Sequence, residues 1–184
     1  NTLMLTAVSA LCAWFGAGRE WPGLLPRLNR GSAGAREARL LLWVVAMLVV
    51  VSMAGAVTAL GDTLFPVSPT EGEGLLARIK GDLSLGTHFL VRLRVIHPIL
   101  AVAVGIGAAL LCQRFTDRED ESGRLATWTY WIVWAQMSLG AFSIALGAPG
   151  WMQLLHLLLA QVLWLLLVLL YFSVRTSSRT PTRV

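Results

Sequence analysis

Charge and cysteine are both scarce in this chain of 184 residues. Only 14% of the residues are charged and 56% are hydrophobic, with a mean hydropathy of +0.68, whereas a soluble domain is usually about a quarter charged. The two cysteines, Cys12 and Cys112, lie inside apolar runs without a CxxC spacing, which argues against a disulfide framework and against a thiolate metal site. The sequence therefore predicts a membrane protein.

The basic residues do not form a single block either. The net charge is +5, but the arginines stand mainly at the ends of the apolar segments. This pattern is typical of residues that set membrane topology rather than of a nucleic-acid surface. We therefore expect membrane lipid as the surroundings and no nucleic acid as a partner.

Four apolar segments are long enough to span a bilayer, at about 39–60, 90–113, 125–147 and 152–174. A shorter apolar run precedes them within residues 1–16 and would cover roughly 22 Å as a helix, against about 30 Å of hydrocarbon. The predicted fold is an all-α, polytopic membrane protein. It has a four-helix transmembrane bundle over 39–174, preceded by one partial transmembrane helix whose beginning we expect to lie before Asn1.

The distribution of basic residues predicts the orientation of this bundle. Segments 17–38 and 114–124, together with the tail 175–184, share one face and hold most of the arginines, while the long loop 61–89 holds few. Because basic residues favour the cytoplasmic side, we expect a cell-membrane protein with 61–89 outside. Residues 17–38 then form a cytoplasmic linker and 175–184 a cytoplasmic tail.

Two histidines lie inside predicted membrane segments. By this topology both helices run inward, which places His97 roughly 10 Å below the outer start of its helix and His156 about 7 Å below Trp151. Ionisable groups inside a membrane are rare and face the bundle interior or a cavity, and neutral imidazole is a common axial ligand of haem iron. The pair predicts haem iron ligands, and the alternative is a hydrogen-bonded network in a haem-free bundle.

Small residues follow both histidines on the same helical faces: Ala101 and Gly105 below His97, and Ala160 below His156. They would leave room beside the iron ligands for a flat porphyrin ring, although small residues also serve close helix–helix contact. Both alternatives stay open at each position.

Three polar residues lie just before His97. Arg92 and Arg94 stand where haem propionates would emerge, and arginine is well suited to carboxylates; snorkelling to lipid phosphate is the alternative. His88 lies nine residues before His97, on the opposite side of a helix and at the water boundary. We therefore interpret His88 as an interfacial residue.

Four stretches resemble a known family. "HPILAVAVG" (97–105), "WAQMSLGAFSIAL" (134–146) and "MQLLHLLLAQVLWLLLVLL" (152–170) resemble the second half of haem A synthase, and "AGAVTALGDTLFP" (54–66) resembles the end of that half's first helix and its outer loop. The family's cysteine pair in the outer loops has no counterpart in 61–89.

The resemblance implies an eight-helix protein built from two similar halves, each with a histidine pair for one haem. The enzyme oxidises a methyl group of haem O to the formyl group of haem A, which terminal oxidases use. His97 and His156 match the ligands of the second-half haem b, which relays electrons. The first half holds the substrate haem and a functional glutamate, so no catalytic residue is assigned in this chain.

The partners implied by the resemblance are the N-terminal half of the synthase, haem O synthase and the assembly of the terminal oxidase. Two other functions stay open at this point. One is a stand-alone b-type electron-transfer cytochrome or a subunit of a larger redox complex. The other is a haem-free structural or transport protein of the membrane.

Overall fold

The computed structural model describes residues 33–64 and 89–177, together with Val8. Four helices follow one another there: α1 (Ala33–Leu64), α2 (Phe89–Gln113), α3 (Glu121–Ala145) and α4 (Gly150–Ser177). No strand occurs in these ranges. The predicted all-α fold is confirmed, and each predicted segment of the bundle corresponds to one helix.

Three of the described helices contain segments long and apolar enough to cross a membrane: Ala35–Gly61, Val95–Gln113 and Gly150–Val174. Helix α3 is 25 residues long, as long as α2, but its glutamine, threonines and charged first turn make it less apolar. The fourth predicted span is therefore confirmed as a helix, and its crossing of the membrane stays a prediction.

The helices form a ring in which α1 packs against α2 and α4, and α3 packs against the same two helices. The connections 114–120 and 146–149 are short, so α2, α3 and α4 alternate in direction. Helix α1 runs against α2, because Glu37 near its start pairs with Arg118 beyond the end of α2, at 2.8 Å between Oε2 and Nη2. Helices α2 and α4 are therefore parallel and diagonally opposite.

Two short turns fix α3 between its neighbours. Asp120 caps the start of α3, and its carboxylate accepts a hydrogen bond from the backbone N–H of Gly123 at 3.2 Å. After α3, Gly147 and Ala148 take positive φ angles of 74° and 57°, and Pro149 leads into α4. These residues form the tight turn between the two helices.

The hydrophobic core occupies one end of the bundle. We call this the core end, formed by residues 33–50, 106–133 and 161–177, and the other the histidine end, formed by 51–64, 89–105 and 134–160. A contiguous cluster of buried side chains fills the core end, among them Leu41, Phe115 and Leu167. In the described part of the histidine end the buried hydrophobic residues are Val51 and Met152. The packing is therefore dense at one end and loose at the other.

Several predictions from sequence fall outside the described residues. These are the partial first helix in 1–16 apart from Val8, the linker up to residue 32, the loop 65–88 and the end of the tail from residue 178. The topology assigned to them stays a prediction.

Candidate functional site

The His97 imidazole lies against α1. A Cβ atom added at Gly55 would stand 2.8 Å from His97 Cε1 and 3.3 Å from each ring nitrogen, so the glycine is what allows the ring to approach. His97 Nδ1 is 3.2 Å from the carbonyl oxygen of Val51. A carbonyl only accepts, so Nδ1 carries the proton and donates, and the lone pair of Nε2 is left free. This is the tautomer in which a histidine binds a metal through Nε2 while its other nitrogen is held by a carbonyl.

The His156 imidazole lies against α3 in a related way. A Cβ atom at Gly140 would stand 3.1 Å from His156 Cε1 and 3.7 Å from Nδ1. One helical turn before this glycine, Gln136 donates its amide N–H to His156 Nε2 at 3.0 Å. The proton of a neutral ring must then reside on Nδ1. Both His156 Nδ1 and Gln136 Oε1 are buried without a hydrogen-bond partner.

Both histidines lie toward the end of the bundle at which α2 and α4 begin. His97 is in the third turn of α2 and His156 in the second turn of α4, about 12 Å and 9 Å from the respective helix starts. Because α2 and α4 are parallel, these depths are measured from the same end. The structure therefore places the predicted pair at the same end of two opposite helices.

The small residues near the histidines differ in how much space surrounds them. Ala101 and Ala160, one turn beyond His97 and His156, are both partly buried. At Gly105 the space is taken: a Cβ atom there would lie 2.6 Å from Met137 Sδ. Close contact between α2 and α3 is thus what the structure shows at Gly105. That Gly105 lies beside a porphyrin stays a prediction. The Met137 side chain would compete with the porphyrin for the same space.

The arginines predicted to meet haem propionates lie in the first two turns of α2. The side chains of Arg92 and Arg94 are outside what the structure describes, and so is all of His88. Their predicted roles stay predictions.

The imidazoles of the histidine end are suited to bind a haem iron. The porphyrin supplies four nitrogens, so the protein needs to offer only one or two ligands, and the described part of this end contains two imidazoles. Unpartnered polar atoms are uncommon in protein interiors, yet His156 Nδ1 and Gln136 Oε1 occur together at this loosely packed end. Within the described ranges no group of three or more His, Cys, Asp or Glu side chains could hold a bare metal ion.

A separate groove of about 470 Å³ lies between α1 and α2 at the core end. Its lining is almost entirely apolar, with Trp43, Met47 and Gly107 on its walls and Arg114 at its edge. The lining extends along α2 as far as Ala103, which is six residues from His97, or about 9 Å along the helix. The groove is therefore distinct from the histidine pair.

The groups that hold the imidazoles were not predicted from the sequence. The Val51 carbonyl, Gly55 and Gly140 carry no pattern that distinguishes them from other residues of an apolar helix. Gln136 did offer a signal, because a glutamine inside an apolar segment needs a hydrogen-bond partner.

Comparisons with known proteins bear on this site. The family described as cytochrome oxidase assembly protein (COX15-CtaA) matches residues 2–168. The chain is 42% identical over 175 residues to a protein named protoheme IX farnesyltransferase from Thermus thermophilus, and equally to its counterpart from a second strain of the same organism. These alignments cover 94% of this chain but only 27% of each relative. No solved structure shows a significant match.

Proposed function

Since the chain belongs to the cytochrome oxidase assembly protein family, we propose that it forms the haem b-binding half of a haem A synthase. In this proposal His97 and His156 are the two axial ligands of the iron. The observation that carries it is the pair of imidazoles toward the same end of two opposite helices, where few of the described side chains are buried.

Several residues of the chain would position and bind the haem in this proposal. The Val51 carbonyl fixes His97 in the tautomer that presents Nε2. The glycines at 55 and 140 let the two rings lie close to the neighbouring helices. Ala101 and Ala160 leave space one turn beyond each ligand, and Arg92 and Arg94 would bind the propionates at the open end of α2.

The expected chemistry is electron relay. A haem b bound here would supply reversible one-electron transfer. Two histidine ligands, His97 and His156, would leave the iron no open position for oxygen, so we assign the oxidation of the haem O methyl group to the N-terminal half. The surrounding apolar helices keep water away from the site.

The name of the Thermus relatives supports a link between two successive reactions. A protoheme IX farnesyltransferase attaches a farnesyl group to haem, and haem A synthase acts on a farnesylated haem. The chain spans 27% of those relatives, which leaves most of their length for the transferase. We therefore propose that this unit works beside its N-terminal half and a haem O synthase, and that its product serves terminal oxidase assembly.

Farnesyl transfer by this segment itself is the second candidate, favoured by the 42% identity to proteins that carry that name. The test is to incubate the purified chain with protohaem IX, farnesyl diphosphate and Mg²⁺, and to look for farnesylated haem by chromatography. Product formation by this chain alone would support transfer, and its absence alongside stable haem binding would support the relay.

The proposed ligands are tested by spectroscopy of the purified chain. We expect one haem b per chain with a low-spin, six-coordinate spectrum. His97→Ala and His156→Ala should each give a high-spin spectrum or lose haem, because either change opens an axial position. His88→Ala is the matched control and should keep the low-spin spectrum. Loss of that spectrum in His88→Ala but not in His97→Ala would show that the ligand assignment is wrong.

A further inference from the structure

The two proposed iron ligands are not equally ready to bind. His97 donates through Nδ1 to Val51, so its Nε2 is available. His156 Nε2, by contrast, accepts the amide N–H of Gln136 at 3.0 Å. The same lone pair cannot accept this hydrogen bond and bind iron at once. The ligand on α4 is therefore blocked by a side chain of α3, while the ligand on α2 is open.

The unpartnered atoms around His156 indicate what would replace this contact. His156 Nδ1 is a donor without an acceptor, and Gln136 Oε1 is an acceptor without a donor. The two belong to residues already in contact. If Nε2 left the amide N–H, Nδ1–H and Oε1 would both be free to pair. Iron-bound histidines usually make this kind of hydrogen bond through the nitrogen that does not face the metal.

We propose that Gln136 is a positioning residue that occupies His156 Nε2 in the haem-free protein and makes iron binding at His156 the second, slower step after binding at His97. This inference rests on the proposed bis-histidine site. The exchange is a change of partner only: the Nε2 lone pair leaves the amide N–H and forms the bond to iron, and no proton or electron is transferred. A high-spin, five-coordinate form with His97 bound precedes the low-spin form.

The test follows the spin state over time. The full chain, produced without haem and held in lipid nanodiscs, is mixed with ferric haem, and absorbance reports the high-spin and low-spin forms. Gln136→Leu removes the hydrogen bond to Nε2. A hydrogen bond is worth about 1 kcal/mol, which corresponds to a factor of about five. The conversion from high-spin to low-spin should therefore be about fivefold faster in Gln136→Leu than in the unchanged protein.

Gln161→Leu is the matched control, because Gln161 also has a buried, unpartnered Oε1 and the same substitution there touches no bond to His156. It should convert at the unchanged rate. Gln136→Ala repeats the test should the leucine variant fail to insert. Equal rates in the Gln136 and Gln161 variants, or slower conversion in the Gln136 variants, would overturn the inference while leaving the histidine pair intact. Absence of any low-spin form in the unchanged protein would instead overturn the proposed site, and this inference with it.

Discussion

Substituting alanine for Gly55 tests the contact that places His97. The added Cβ atom would stand 2.8 Å from His97 Cε1, about 0.7 Å closer than carbon atoms pack. The ring must therefore move away from α1, and this motion lengthens or breaks the bond between Nδ1 and the Val51 carbonyl. We expect the variant to displace the proposed ligand while the helix itself remains intact.

Two opposing effects determine how much Gly55→Ala changes the free energy of unfolding. Overpacking a filled position costs about 1–3 kcal/mol, and replacing glycine by alanine inside a helix returns about 0.5–1 kcal/mol. The free energy of unfolding should therefore fall by between about 0 and 2.5 kcal/mol. The added atom also displaces the His97 imidazole, the proposed iron ligand. The same steric cost of about 1–3 kcal/mol should therefore lower haem affinity by about 5- to 150-fold.

Two other glycines provide a graded series for the same assay. Gly140→Ala would bring a Cβ atom to 3.1 Å from His156 Cε1, a milder contact, whereas Gly107→Ala meets nothing within 4 Å. Haem titration, followed by the low-spin absorption, should rank the loss of affinity as Gly55→Ala, then Gly140→Ala, then no loss for Gly107→Ala. Equal haem affinity in Gly55→Ala and Gly107→Ala would refute the assignment of His97 as a ligand held against α1.

Two further predictions address topology and the small face of α2. Tags inserted within 68–76 should be accessible from outside the cell and tags after 178 from the cytoplasm, as protease protection of intact cells and inverted vesicles would show; cytoplasmic access at 68–76 would contradict the orientation. Gly105→Leu should lower thermal stability in detergent through its clash with Met137 Sδ, by about 1–3 kcal/mol, and Met137→Ala should restore it. If the double variant regains stability but not haem, Gly105 also borders the ring.

The presence of the four helices could be predicted from the sequence because long apolar runs are a strong signal. The ends of the helices were harder to predict because they depend on individual polar residues. The charged segment 114–124 indicates a loop up to residue 124, yet α3 begins at Glu121. Asp120 as N-cap and Glu121 in the first turn are the signals that mark this start. Similarly, α1 begins at Ala33 rather than near 39, and Glu37 within the added turns pairs with Arg118. The pairing partner lies 81 residues away, and no local pattern reports it.

The placement of both histidines toward one end of the bundle could be predicted because depth follows from counting residues along a helix. The contacts that orient each ring could not, since they depend on which helix lies beside it and at what rotation. Gly55 and Gly140 are the clearest examples, because each matters only through an imidazole on another helix. Gly105 shows the opposite case: its small size is compatible with a ring or with a helix contact, and only the position of Met137 distinguishes them.

Stability and binding are assigned to different ends of this bundle. The core end holds the fully buried side chains Leu41, Phe115 and Leu167, and there the ion pair of Arg118 with Glu37 joins the end of α2 to the start of α1. The histidine end has few buried hydrophobic residues of its own, so the helices there are held in place mainly by their continuation from the core end. A bundle organised in this way can fold before it receives a haem, because its largest buried cluster does not depend on the histidines. It also leaves the polar groups of His156 and Gln136 free to exchange partners at the loosely packed end, where a change of contact does not disturb the core.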